Sequence, residues 1–538
     1  PNSAERRYQK TLSKNFTLYA DYKKNFNDRH DLSVMVGTSH ESENYDRFTA
    51  KRINFDQQEN MSLQLGSAQD QNAWSEGNQW TINSFFSRVN YTFANKYVIE
   101  GTIRADGSSR FDPDHRWGWF PGVNAAWRVG EEGFMKRLGW FEDLKVRASY
   151  GEMGNQSGIG LYDYIQLISL SNDYYPFGTG VKGQMATSGN IISTSRTWET
   201  IQTTNVGFDF STLNNRLYGS FDYFWKENKN MLIPKTYPSM LGADAPSTNS
   251  GHLSIHGWEI SLGWRDQIKD FSYSVRFNIS DAKNKVVDRV GSNLIQLGNN
   301  ETPTGYPLNS YFGYEFDGII QNEQELEAYK SRFSEGGIPG DLSVGDAMYK
   351  DLDGDGKLSV LGDGKEGSGD VKYLGDKNPR YNFGFNLSMA WKGFDLSAFI
   401  QGVGRRTMFL EGESRCPMPE AWYQSAEYWY GKTWTPERTD AQYPAITLKD
   451  KRNYNYYVST NTKFNVAYAR LKNLQFGYTI PQTLTSKAGL QKVRVYFSGE
   501  DLFEVHNTPN GWDPEENSGS ITSYPFTRNY SFGINVVF

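Results

Sequence analysis

The sequence predicts an all-β fold, a transmembrane antiparallel β-barrel. Three observations predict it: apolar and polar residues alternate with period two from end to end, connections are sorted by length, and the last residues form an alternating aromatic strand. Phe85, Val89, Tyr91 and Phe93 share one face, opposite Ser84, Arg88, Asn90 and Thr92. Past Ala94-Asn95-Lys96, the residues Tyr97, Ile99 and Ile103 oppose Glu100, Thr102 and Arg104. Leu217, Phe221, Tyr223 and Trp225 repeat the theme, as do Phe383, Phe385, Leu387 and Met389. Such segments put lipid on one face and a polar lumen on the other. Alternation alone would also describe a secreted β-sandwich.

Connection lengths separate the two. Strands are expected near 13–25, 31–43, 80–93, 97–106, 117–129, 144–153, 198–212, 216–228, 253–265, 270–283, 378–391, 394–404, 463–480, 490–500 and 522–538. Short links (26–30, 94–96, 213–215, 266–269, 392–393) and somewhat longer ones (130–143, 481–489) alternate with longer ones, several above thirty residues. Bacterial barrels keep short turns in the periplasm and long loops outside, whereas a sandwich has no reason to sort its loops by parity. Short helical patterns are expected from Glu132 to Leu138 in an inner link and from Asn322 to Phe333 in an outer loop. A last strand ending inward at Phe538 makes the first of fifteen run inward too, compatible with strands 8 to 22 of a 22-stranded barrel. The apolar stretch Tyr311 to Ile320 is then extracellular β structure, because one more spanning strand would break the parity. Tyr530, Phe532, Ile534, Val536 and Phe538 form the closing apolar face, like the terminal signal read by the outer-membrane assembly machinery.

Composition agrees. The 538 residues include 34 Tyr, 33 Phe and 15 Trp, which strands and membrane interfaces favour. Mean hydropathy is −0.67 and no apolar run suits a transmembrane helix, as expected when lipid- and lumen-facing residues alternate. Net charge is −6, which gives no electrostatic footprint for nucleic acid. The one cysteine, Cys416, permits no intramolecular disulfide and has no positioned His partner. The sequence opens on Pro-Asn-Ser without Met or a signal peptide, so a processed chain or a portion of a longer protein is expected.

Stretches along nearly the whole chain carry a family resemblance. They include Ala105-Asp106-Gly107-Ser108-Ser109-Arg110-Phe111, Trp119-Phe120-Pro121-Gly122, Leu144 to Gly151, and Thr197-Trp198-Glu199-Thr200. Later come Asn378-Pro379-Arg380-Tyr381, Phe399 to Gly404, Leu471-Lys472-Asn473-Leu474 with Gly477-Tyr478, Val493 to Tyr496, and Gly499-Glu500-Asp501-Leu502-Phe503. In this order they resemble the SusC/RagA-type TonB-dependent outer-membrane transporters. The resemblance implies a bacterial outer-membrane protein with a plug and a TonB-contacting segment ahead of residue 1. It implies a SusD-like surface lipoprotein as a lid, and import of glycan fragments, or of peptides in some members. Residues 1–538 are then the C-terminal part of one receptor barrel, embedded in outer-membrane lipid, with the plug and first strands outside this chain.

The sharpest local motif is Asp351-Leu352-Asp353-Gly354-Asp355-Gly356-Lys357-Leu358-Ser359, which fits the first nine positions of a calcium loop. Asp351, Asp353 and Asp355 supply carboxylates, Gly356 permits the turn, and Lys357 offers its carbonyl. Position twelve is Gly362, so Asp363, one residue late, or the more distant Asp370 would have to complete a structural Ca2+ site; an acidic solvated turn is the plainer alternative. The outer loop 405–462 is dense in rings, and Trp422, Tyr423, Tyr428, Trp429 and Trp434 are candidates to stack on sugar; packing within the loop, or seating the lid, is the plainer reading ring by ring. Gly178 to Gly183 fits a dinucleotide fingerprint formally, but in an outer loop without the strand and helix that motif needs. His252 and His256 share a strand face about 13 Å apart, too far for one metal. No pair of carboxylates is set at glycosidase spacing, so no catalytic residue is assigned. A secreted glycan-active β-sandwich enzyme and a purely structural or adhesive barrel are the competing classes.

Overall fold

The computed structural model describes residues 2–538 apart from 57–58, 60, 70, 172–175, 178–180, 183–184, 190, 235–239, 241–245, 290–296, 299–301, 362–368, 420–423, 448–450, 517–518, 520–523 and 525. Fifteen strands hydrogen-bond in chain order into one antiparallel sheet. They are β1 (Ser3–Phe26), β2 (His30–Ile53), β3 (Gln71–Phe93), β4 (Tyr97–Ser108), β5 (Trp117–Arg128), β6 (Asp143–Asn155), β7 (Glu199–Thr212), β8 (Leu217–Pro234), β9 (Ser247–Ile268), β10 (Phe271–Asp288), β11 (Arg380–Trp391), β12 (Phe394–Arg405), β13 (Tyr468–Thr479), β14 (Lys492–His506) and β15 (Asn529–Val537). All fifteen expected strands are present. Several run much further outward than the alternation suggested: β1 and β2 each have 24 residues, and β3 has 23. Beyond the membrane both faces meet water, so polar residues occupy both and the period-two signal fades while the ladder continues. No helix among the described residues is long and apolar enough to cross a membrane.

The short connections all follow odd-numbered strands and are built on left-handed residues. Asn27 and Asp28, Ala94 and Asn95, Leu213 to Asn215, and Lys392 with Gly393 have positive φ. Lys392-Gly393 is a two-residue hairpin with positive φ at both positions, the form that matches strand twist.

The chain divides into two compact units. One comprises Pro1–Arg128, Arg147–Asn205 and Lys226–Leu253. Its register carries the apolar residues across strands: Val34, Val89, Gly101 and Val123 lie in one row, and Leu32, Tyr91, Ile99 and Ala125 in the next. At the inner rim His30, Phe93, Tyr97 and Trp127 line up, with Phe93–Tyr97 and Tyr97–Trp127 stacked at 6.3 and 6.4 Å, an aromatic girdle at headgroup level. The opposite face is polar: Asn90 and Asn124 both donate to Glu100, and Arg104 donates to Asp106 and Ser84. A satellite core at the outer end packs Phe111, Phe120, Ile159 and Trp198.

The second unit comprises Val129–Val146, Val206–Trp225 and Ser254–Phe538. Val275, Leu387, Ala398, Leu474, Gly499 and Tyr530 form an apolar row across six strands. On the other face Ser274, Ser388, Ser397, Gln475, Ser498 and Ser531 form a polar one. The terminal face is as expected, with Ile534 opposite Val495 and Phe532 opposite Phe497. Both short helices form, α1 at Gly133–Leu138 and α2 at Glu323–Arg332, the latter N-capped by Asn322. Tyr311 to Ile320 lies outside the wall, in the strands Ser310–Tyr314 and Phe316–Ile319. This fits its exclusion from the spanning set.

Candidate functional site

The long outer connections of the second unit fold into bodies with their own cores. Ser310–Tyr314 pairs with Val371–Asp376, and Phe316–Ile319 pairs with Ala347–Tyr349. Helix α2 lays Leu326 and Tyr329 on this platform, beside Ile320, Tyr349 and Tyr454. Phenols buried this deeply need partners. Tyr329 and Tyr454 share a hydrogen bond of 2.7 Å, the Tyr349 amide donates to the Tyr329 oxygen at 2.9 Å, and Tyr349 donates to the Tyr454 carbonyl at 2.8 Å. Burial pushes the Tyr329 phenol up to about 12, so it stays neutral at any physiological pH. Lys451, on α3 (Lys451–Asn455), pairs at 2.7 Å with buried Asp346, which also accepts from Asn455. Loops more than 100 residues apart in sequence are thus one body.

The acidic loop caps this body. Gly354 and Gly356 have φ of 77° and 76°, so the chain doubles back and the Asp351 carboxylate accepts from the amides of Gly354 (2.6 Å) and Gly356 (3.0 Å). Asp370 is fully buried, and its two oxygens accept from Leu352 at 2.6 Å and Ser359 at 2.8 Å. Burial raises its carboxyl above the usual range, and Asp353 and Asp351 push the same way, against those two amides. Carboxylate oxygens of Asp351, Asp353 and Asp370 all lie within 4.8 Å of one another. The distant Asp370 is therefore the carboxylate that joins the first two. Asp355 lies outside that group and accepts from the Lys357 amide at 2.8 Å; Asp363 falls outside the described residues. Three converging carboxylates on a Gly-turned loop suit a hard cation with oxygen ligands.

In the aromatic loop, Trp422 and Tyr423 fall outside the described residues. Tyr428 and Trp429 are core residues: Trp429 is 3% exposed, Tyr428 bonds Tyr443 at 2.6 Å, and both pack with Tyr456 and Trp512. Neither ring offers a free face to a ligand. Trp434 is partly buried, its indole N–H donating to Gln321 at 3.1 Å. Tyr430, next to Trp429 in the chain, is 90% exposed.

One charged constellation was not anticipated. Arg470 is completely buried, paired with Asp513 at 2.5 Å and Glu515 at 3.1 Å and stacked over Phe526 at 4.2 Å. Lys472 bonds Asp501 and Glu515, and Arg528 bonds Glu504. Together they tie Asp513, Glu515 and Arg528 of the last outer connection to β13 and β14. Asp513 and Glu515 lie more than 40 positions from Arg470 and Lys472 along the chain, and Asp501 lies 29 from Lys472, so no local spacing pairs them.

The chain matches the family model described as TonB dependent receptor-like, beta-barrel, over residues 1–502. It belongs to that family. The TonB-dependent receptor wall therefore lies in the bacterial outer membrane, and the family is one of receptors rather than enzymes. TonB-dependent receptor P3 of Formosa agariphila is 32% identical over 558 residues, covering 98% of this chain and 52% of that protein. TonB-dependent receptor SusC of Bacteroides thetaiotaomicron is 26% identical over 568 residues, covering 99% of this chain and 50% of that protein. The RagAB peptide transporter has the same fold, with a TM-score of 0.81 at 23% identity, covering 99% of this chain and 56% of that one. The chain spans about half the length of the curated relatives it matches.

Proposed function

We propose that the full-length protein imports oligosaccharides across the outer membrane, with a SusD-like surface lipoprotein as lid and TonB as the source of energy. The carrying observation is family membership joined to outer loops built as folded bodies with exposed rings at their surface. In this reading the chain supplies strands 8 to 22 of a 22-stranded barrel, and the plug and TonB-contacting segment precede it. The stacking rings are Tyr430, Trp434 and, in the same loop, Trp422 and Tyr423, while Tyr428 and Trp429 hold the loop's shape from within. The test is uptake of candidate glycans by cells carrying Tyr430→Ala, with surface expression confirmed and the lipoprotein recovered by pull-down. Reduced uptake with normal lipoprotein recovery supports ligand contact; loss of both supports lid docking. Normal uptake and recovery would remove Tyr430 from the account, and glycan hydrolysis by the purified protein would replace transport with catalysis.

A peptide cargo is the second reading, because the RagAB neighbour is a peptide transporter. Uptake of labelled oligopeptides in the same cells, without uptake of glycans, would select it.

The convergence of Asp351, Asp353 and Asp370 supports a structural Ca2+ in the outer body, with the Lys357 carbonyl, Asp355 and Asp363 as further oxygen donors in this loop. Calcium should raise the melting temperature of the purified protein, chelation should lower it, and Asp351→Asn should abolish the difference. An unchanged melting curve with and without calcium would remove the ion.

A further inference from the structure

The inner link between β5 and β6 is unlike the tight turns beside it. Residues 129–142 carry α1, whose Phe134 and Leu138 lie one turn apart, and Gly139 (φ 63°) closes the helix by donating to the Met135 carbonyl at 3.1 Å. Trp140 follows at once. These three side chains are between 47% and 67% exposed. A cluster of that kind in water carries a large hydrophobic penalty.

The anchorage of the link shows which side of the wall it occupies. Trp140 accepts through its carbonyl from Thr212, and the Glu142 amide donates to Ser211. Phe141 meets Phe210 edge-on at 6.3 Å. Phe210 belongs to the apolar face of β7: Phe208, two residues away, lies against Phe221 at 5.7 Å. A Cβ on Gly219 would meet both Phe210 and the exposed Leu262. The polar face of β7 is distinct, with Asp209 paired to Lys145. The link therefore lies on the lipid side, at the inner rim where the strand ends.

We infer that residues 133–141 are an interfacial foot, seated among the phospholipid headgroups of the inner leaflet. Phe134, Leu138 and Trp140 enter the acyl boundary, and Arg137 sits at phosphate level, while Lys136 is paired with Glu131 at 2.6 Å. The chemistry is that of an amphipathic interfacial helix: rings and aliphatic chains at the boundary, cations at the anionic headgroups. The foot rests on the membrane placement of the wall and is independent of the cargo.

The test uses the full-length receptor in lipid nanodiscs, in a Cys416→Ser background, with one environment-sensitive fluorophore at position 134, 138 or 140. Leu262→Cys is the lipid-belt control and Tyr430→Cys the aqueous control, and folding is confirmed by retained heat-modifiable migration. Lipids brominated near the glycerol should quench labels at 134, 138 and 140 several-fold more than the label at 430, and aqueous iodide should quench them less. Quenching at 262 but not at 134 and 140 would overturn the foot while leaving the wall in the membrane. No quenching at 262 would overturn the membrane placement itself. Protection of 134 and 140 from both quenchers would mean that protein covers the link, which also overturns the foot. As a label-free check, amides of 133–141 should exchange more slowly in nanodiscs than in short-chain detergent; equal rates contradict the inference.

Discussion

Ile534 and Asn535 are chain neighbours in the last strand with opposite duties. Ile534 sits opposite Val495 and is 66% exposed on the apolar face, while Asn535 sits opposite Arg494 on the polar one. Lipid does not solvate a guanidinium, and the cost of one on the lipid face runs from about 2–4 kcal/mol at the midplane to about 0–1 near the interfaces, so Ile534→Arg should lower stability. Asn535→Arg should cost much less. Refolding yield into lipid vesicles checks this, and equal yields for the two variants would contradict the assignment of faces. The same contrast marks what was legible residue by residue. The faces of β3, β4 and β15 follow from alternation alone. The burial of Tyr428 and Trp429 does not, because a ring bound for a loop core and a ring bound for a ligand have identical side chains.

At the scale of elements, the outer body is fixed by a few long-range ties. Glu315 accepts from Lys350 at 2.7 Å and from Lys372, joining the segment after Ser310–Tyr314 to the ends of two other strands. These hydrogen bonds hold its carboxyl at about 2, below the ordinary carboxylate range. A depressed carboxylate contributes stability above its unfolded value and loses it as pH falls toward the folded one. The gap in melting temperature between the native protein and Glu315→Gln should therefore be present at pH 7, shrink below about pH 4.5, and close near pH 2. The two pairs are partly exposed and salt-screened, so the gap should be small and should narrow in high salt. A gap that is constant with pH would contradict this role for the ion pair. Neither this tie nor the Arg470 cluster was visible in advance, since both join residues dozens of positions apart. Helix α2 was visible, because Asn322 with Glu325 gives a local start signal and the Glu325 amide does donate to the Asn322 side chain, whereas α3 was not. The acidic loop was half legible: Asp351 and Asp353 came from spacing, whereas Asp370 as the joining carboxylate needed the fold.

For the whole molecule, the number of wall strands and their parity were readable because lipid imposes one rule on every strand. Strand ends were not, since that rule stops at the headgroups. The membrane placement of the wall requires one face of this sheet to meet lipid along its full width. A nitroxide scan from position 84 to 93 in β3, on the Cys416→Ser receptor in bilayers, measures it directly. Collision with oxygen should peak at 85, 87, 89, 91 and 93, and collision with a water-soluble nickel chelate should be lowest at those positions, with a period of two residues. A period of 3.6, or equal water access on both faces, would contradict a membrane wall.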